Sequence, residues 1–369
     1  MKYIDEYRNK KMALKIADAI RRSAAKGRVY KFMEVCGTHT NTFFKFGLKS
    51  LLPDNIKLIS GPGCPVCVTD VSYIDNAIAI SKIKDVIVAT FGDMIKVPGS
   101  ESSLYRERSR GSDIRMVYSS LDALKIAEEN PDKKIVFLAV GFETTVPTVA
   151  LALLEAKRRR VSNFSVYSAH KLIPPAMRML LKDKDVLIDG FILPAHVSAI
   201  IGADAYRFLK RLGIPGVIAG FEPLDMLGGI KMLVDQLNDN KADIEIQYNR
   251  VVRPHGNEKA QKVMDDVFSV TDASWRGFGI IRSSGLKIRA KYKGLDAEKN
   301  FNISFKRGGA ERDKGCICAD VLKGKKGPQD CRLFNTICNP ENPKGPCMVS
   351  SEGSCGIYYK YIGRQAFRR

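Results

Sequence analysis

The feature of this sequence that most restricts its fold is a unit that recurs along it. A short apolar run of strand length leads into a loop of small or reactive residues, and a segment with helical spacing follows. Residues 29–35 run into Cys36-Gly37-Thr38-His39-Thr40. Residues 56–60 run into Gly61-Pro62-Gly63-Cys64-Pro65-Val66-Cys67, followed by a helical pattern over 71–80. Residues 85–90 run into Phe91-Gly92-Asp93, and 134–140 into Gly141-Phe142-Glu143-Thr144-Thr145 with a helix reaching Arg160. Residues 164–168 lead to Ala169-His170, 190–193 to Pro194-Ala195-His196, and 216–219 to Gly220-Phe221-Glu222 with a helix over 223–237. Strands alternating with helices imply parallel sheets covered on both faces, because each parallel connection needs a crossover. In such sheets ligands meet the carboxyl ends of the strands, and the chemically unusual residues gather at that end in unit after unit.

Asn130-Pro131-Asp132 interrupts the pattern and reads as a domain boundary. The expected organisation is α/β. Residues 1–28 form an N-terminal helix, 29–130 a first small parallel-sheet domain with Cys36, Cys64 and Cys67, and 131–248 a second, similar domain. Residues 249–369 contain a helix over 258–268, then a Gly- and Lys-rich stretch and six cysteines among turns. They read as a third, irregular, Cys-rich domain against which the N-terminal helix packs.

A chain of 369 residues with 45% hydrophobic content is long and apolar enough to bury real cores. No apolar run approaches the ~18–20 residues of a membrane span. The first residues are too charged for a signal peptide, so a cytoplasmic protein is expected. The net charge of +20 is concentrated beyond residue 281. No nucleic-acid-binding signature accompanies it, and a lysine-rich surface that meets an acidic protein is the preferred reading.

Cytoplasmic thiols stay reduced, so nine cysteines require a reason other than structural disulfides. Six of them, Cys316, Cys318, Cys331, Cys338, Cys347 and Cys355, form a C-x-C-x12-C-x6-C-x8-C-x7-C array. Zinc favours four ligands in paired knuckles, which are missing here, whereas a [4Fe–4S] cluster takes four thiolates at irregular spacing. An iron–sulfur cluster is preferred over zinc, with two thiols left over. Cys64-Pro65-Val66-Cys67 is a C-x-x-C at a strand end, suited to a reversible disulfide or a metal. Cys36, followed closely by His39, suits a nucleophile or metal ligand, against a plain core cysteine.

Glu143 reads as a carboxyl that binds or protonates a group in the site, or as a partner of a helix N-terminus. His196 reads as a site residue or a buried histidine bonded to a backbone carbonyl. His170 and Glu222 hold analogous positions, Asp93 reads as a turn or cap residue, and His255 as a loop residue. No G-x-x-x-x-G-K-[ST], G-x-G-x-x-G or H-E-x-x-H motif is present, so no nucleotide or zinc-protease signature competes.

Taken in order, Cys36-Gly37-Thr38-His39-Thr40, Gly61-Pro62-Gly63-Cys64-Pro65-Val66-Cys67, Gly141-Phe142-Glu143-Thr144-Thr145, Pro194-Ala195-His196-Val197-Ser198 and Gly345-Pro346-Cys347-Met348-Val349-Ser350-Ser351-Glu352-Gly353 resemble the HypD family of [NiFe]-hydrogenase maturation proteins. The resemblance runs from about Phe32 to Tyr361 and implies two similar α/β domains around a cleft and a third domain with a [4Fe–4S] cluster. It implies a scaffold and redox protein on which the Fe(CN)2CO unit is assembled with the small partner HypC. Cyanide arrives from HypE, itself loaded by HypF, and the unit is passed to the hydrogenase large subunit. By that resemblance Cys36 binds the iron, and His39 is a ligand, proton donor or positioning group. Cys64 and Cys67 are the redox pair, and Cys316, Cys331, Cys338 and Cys355 hold the cluster beside a Cys318/Cys347 pair. Two other readings use the same residues: a stand-alone iron–sulfur thiol–disulfide reductase, and a zinc-containing nucleic-acid binder.

Overall fold

The computed structural model describes residues 5–301 and 315–363. The basic residues within 306–314 and 364–369, part of the expected positive cluster, lie outside the described residues.

In chain order the strands are β1 Tyr30–Glu34, β2 Ile56–Ser60, β3 Val86–Thr90, β4 Asp113–Met116, β5 Lys134–Ala139, β6 Phe164–Ser168, β7 Gly190–Pro194, β8 Gly216–Ala219, β9 Ile244–Ile246, β10 Phe268–Trp275 and β11 Gly279–Ile288. They build a parallel sheet of order β2-β1-β7-β8-β9, a second of order β4-β3-β5-β6, and an antiparallel hairpin β10-β11. Two parallel sheets with helical crossovers match the architecture expected from the alternation.

The division expected at residue 130 is corrected by the strand order. The first sheet takes β1 and β2 from before that point and β7, β8 and β9 from after it. The chain leaves the first sheet after β2, builds the whole second sheet, and returns. Asn130 instead terminates the helix Ser120–Glu129 inside the second sheet's own crossover.

Alternation along the strands explains how the layers join. Tyr30, Phe32, Ile192, Val217 and Ala219 face one side of the first sheet and pack on the helix Pro223–Asn238. Met33, Phe191, Leu193 and Ile218 face the other side, in the same core as Val86, Val88, Val136 and Leu138 of the second sheet. The remaining face of the second sheet, Ile87, Ala89, Ile135 and Phe137, packs on the helix Val146–Arg159 and on the hairpin. The two sheets therefore share one core, in which each fully buried Leu, Ile or Phe contributes about 1.5–3 kcal/mol.

The N-terminal helix Lys10–Ser23 is capped by Asn9, which accepts from Met12 N at 3.0 Å. Its Ala13, Ala17 and Ile20 are buried, one stripe at helical spacing. Ala13 and Ile20 join the core that holds Met226, Ile230 and Leu233 of Pro223–Asn238. The helix thus belongs to the first sheet, not to the Cys-rich region as expected, because that is where the matching apolar face lies.

Candidate functional site

The carboxyl ends of the strands carry the site. Cys36 directly precedes the helix Gly37–Lys45, whose first turn returns His39 N to Cys36 O at 3.0 Å. The Gly61-Pro62-Gly63 loop lies directly on this turn. A Cβ at Gly63 would collide with the backbone of Val35 and Cys36, so only glycine lets the two loops close. Gly37 N donates to Gly63 O at 3.3 Å across the same contact.

Cys64 is the N-cap of the short helix Pro65–Val68 and accepts from Cys67 N at 3.2 Å. Both thiols are buried. Cys67 hydrogen-bonds Cys64 on one side and Cys347 on the other. Cys347, in the short helix Pro346–Val349, lies with its Sγ 3.3 Å from that of Cys318. Four thiols from three distant stretches of sequence therefore stand in line: Cys64, Cys67, Cys347, Cys318. Burial pushes the Cys67 thiol well up. The Cys318 contact pulls Cys347 down, but Cys67 and burial outweigh it and the thiol stays raised.

Cys318 and Cys347 share an apolar pocket with Cys316, Cys331, Cys338 and Cys355, closed by Leu333, Phe334 and Met348. Burial raises the Cys355 thiol well above its ordinary value, and Cys318, Cys316, Cys338 and Cys331 all add to the rise. This donor set fits an iron–sulfur cluster in kind, since soft thiolates in an apolar lining are what such clusters take. Among the described residues no group of three or more His, Cys, Asp or Glu is arranged around a single-ion position.

Cys36 is pushed up to about 12 by burial and by Glu352. Glu352 is itself raised by burial and accepts from Thr38 Oγ1 at 2.7 Å. A side chain at Gly37 would strike the Glu352 backbone, so the 350–353 segment presses on the Cys36 turn. Asp93, at the end of β3, holds that segment by accepting from Ser350 Oγ, Ser351 N and Ser351 Oγ at 3.0, 3.1 and 3.0 Å. It is a clamp between chain segments more than a turn residue.

His39 is fully buried. Its Nε2–H donates to Ala219 O at 2.9 Å, which leaves Nδ1 as a bare acceptor, and that atom is buried with no partner. Burial pulls its pKa down to about 4, so the ring is neutral. Phe221 lies between two histidine rings, 4.8 Å from His39 and 4.2 Å from His196. His196 is exposed, and the backbone-bonded histidine considered for that position is His39 instead.

Glu143 is buried, with Oε1 accepting from Ile173 N at 2.9 Å and Oε2 without a partner. It caps the helix Ile173–Leu180 rather than the one that follows it in sequence. Burial pushes it to about 7. Burial also raises Tyr206, Ser198 offsets part of this, and both Glu143 and Cys36 add to the rise. Tyr206 thus stands within the field of a group from each sheet. Glu222 pairs with Arg8, and His255 with Asp204 in its loop.

Sequence reasoning passed over Glu34, Glu352, Tyr206 and Lys171. Glu34 is buried, accepts from Thr40 Oγ1 at 2.5 Å, and is pushed to about 7 by burial. A charged residue inside the apolar run before Cys36 was the available signal.

A family model named HypD and described as "Hydrogenase formation hypA family" matches residues 11–362. The chain belongs to the HypD family of hydrogenase-maturation proteins. HypD relatives cover nearly its whole length. The hydrogenase maturation factor HypD of Cupriavidus necator is 47% identical over 370 residues, 98% of this chain and 97% of the relative. HypD2 of Bradyrhizobium diazoefficiens is 46% identical over 370 residues, with the same coverage. HypD of Escherichia coli K12 is 45% identical over 368 residues, 98% of each chain. No helix among the described residues is long and apolar enough to cross a membrane.

Proposed function

We propose that this chain is a scaffold and redox protein on which the Fe(CN)2CO unit of [NiFe] hydrogenase is assembled, working with a HypC-like partner and receiving cyanide from a HypE-like donor. The observation that carries the reading is the line of thiols Cys64, Cys67, Cys347 and Cys318, which ends beside the turn that holds Cys36.

Cys316, Cys331, Cys338 and Cys355 would hold a [4Fe–4S] cluster, which when bound supplies single electrons to the adjacent Cys318/Cys347 pair. From there the chain's own residues suffice. The Cys347 thiolate attacks Cys67 of a Cys64–Cys67 disulfide, and Cys64 leaves as a thiolate and takes a proton. Cys318 then attacks Cys347 in the mixed disulfide and releases Cys67. One disulfide is made and one is broken, so two electrons have moved from the Cys-rich region to the Cys36 loop.

The iron is cargo. Cys36 offers it a soft ligand, shared with a cysteine of the HypC-like partner. The raised Cys36 thiol must lose its proton when iron binds, and the bare Nδ1 of His39 is an acceptor in the same helical turn. Glu143 and His196 complete the surroundings from the β5 and β7 ends as groups that bind or protonate a ligand of the iron.

The test is infrared spectroscopy of the anaerobically purified complex with a HypC-like protein. Bands in the cyanide and carbonyl regions are expected, and Cys36→Ala should abolish them. Bands that persist in that variant would refute the assignment of Cys36. A complex with no bands but with disulfide-reducing turnover would favour a stand-alone reductase.

A further inference from the structure

A large cavity among the described residues lies outside this site. It has a volume of about 710 Å³ and is bounded by the end of β6, the β10-β11 hairpin and the Tyr73/Tyr167 pair. A volume in that range suits a small organic ligand. It sits at the carboxyl end of a parallel strand, where α/β sheets bind ligands.

Two side chains in its wall are buried yet incompletely used. Lys171 is 5% exposed; its Nζ donates to Ser274 O at 2.8 Å and lies 5.6 Å from the Trp275 ring centre. Among the described residues it has no ion-pair partner. The acid that acts on it, Asp70, has its oxygens occupied by Ser72 N, Ser72 Oγ and Ser274 Oγ. Burial draws Lys171 down to about 8, the response of an ammonium without a close counter-charge. His170 is 2% exposed; Nδ1 meets Ser168 Oγ at 3.1 Å and Nε2 has no partner.

The tyrosines add no unmet polar group. They stack 4.3 Å apart, Tyr73 OH donates to Tyr167 O, and Asn76 donates to Tyr167 OH. The mouth mixes signs, with Lys287 and Lys299 against Asp272 and Glu298, so it does not set the ligand's charge. The depth does. A buried ammonium with spare donors is satisfied by an oxyanion. A neighbouring imidazole nitrogen is satisfied in either tautomer by a hydroxyl, which both donates and accepts.

We propose that this cavity binds a hydroxylated organic oxyanion, its carboxylate or phosphate oxygens on Lys171 and a hydroxyl on His170. The role is separate from iron assembly and does not depend on it.

Trp275, the only tryptophan, lies against Lys171 and reports binding directly. The experiment titrates the purified chain with tartrate, succinate or ribose 5-phosphate at fixed ionic strength and follows Trp275 emission. Saturation by tartrate or by ribose 5-phosphate, at about 1 mM or below, is expected, and which of the two saturates tells carboxylate from phosphate. Succinate, which lacks hydroxyls, should bind at least about tenfold more weakly than tartrate. Lys171→Met should weaken binding at least about tenfold while Lys171→Arg retains it. His170→Gln, an independent arm should Lys171→Met fail to fold, should erase the preference for tartrate over succinate. No saturable change with either hydroxylated anion, or equal affinity in wild type and Lys171→Met, would overturn the proposal.

Discussion

Cys318 and Cys347 lie with their sulfurs 3.3 Å apart, and Cys347 also hydrogen-bonds Cys67. One thiol thus touches both the Cys-rich pocket and the loop after β2. Cys347→Ser should therefore cut the relay at its middle. After reduction of the purified protein through its C-terminal region, differential alkylation with mass spectrometry should find Cys64 and Cys67 still oxidised in the variant and reduced in the wild type.

The close approach of Gly63 to the backbone of Val35 and Cys36 makes a sharper structural demand. The obstacle is main chain on β1's exit, which cannot swing aside as a side chain can. Gly63→Ala should cost about 1–3 kcal/mol by overpacking, read as a lowered midpoint in urea. Gly111, with open space around it, has a positive φ of 103°. An alanine there should also destabilise, but without altering the reactivity of Cys36.

Much of this was legible from the chain alone, and the rest was hidden for physical reasons. β2, β6 and β8 begin and end where their apolar runs do, because glycines and reactive loops punctuate them. Membership of a sheet was not legible. A parallel strand's partner is set by a crossover and not by local pattern, so nothing in β7 announced that it pairs with β1. β4 and β9 are short edge strands with charges in them, Asp113, Arg115 and Glu245, which is how edges avoid reading as strands. The cysteines were visible as residue types. Their line-up joins positions more than 240 residues apart and exists only in the fold.

Glu143 carries a pH dependence whose sign follows from its burial. Its carboxyl goes from 4.5 to about 7 on folding. Between those values the folded chain holds a proton that the unfolded chain has released. Stability is therefore greatest below pH 4.5 for this group, falls as pH rises through the window, and levels off above 7. The loss is about 3 kcal/mol at most. Glu34, raised to about 7 as well, contributes in the same direction. His39 and His170, pulled down by burial to about 4 and about 3, act in the opposite direction below pH 6.5. The check is therefore the difference between Glu143→Gln and wild type, which should move in the variant's favour by up to about 3 kcal/mol between pH 5 and 8 in urea unfolding.

Asp93 is the tie between the second sheet and the segment that covers Cys36. It accepts three hydrogen bonds from Ser350 and Ser351, and Glu352 in the same segment binds Thr38 beside the Cys36 turn. Asp93→Ala strands those donors and frees the segment locally, at a cost of about 1–3 kcal/mol. Hydrogen exchange at residues 350–353 should accelerate, while the core strands β3 and β5 keep their protection. Cys36 should alkylate faster, since Glu352 would no longer be pressed against it and the burial that raises its thiol would be relieved. Asp93→Asn, which keeps a carbonyl acceptor in place, should fall between wild type and alanine on both measurements. If the alanine variant exchanges faster at 350–353 but leaves Cys36 alkylation unchanged, the segment does not guard the thiol.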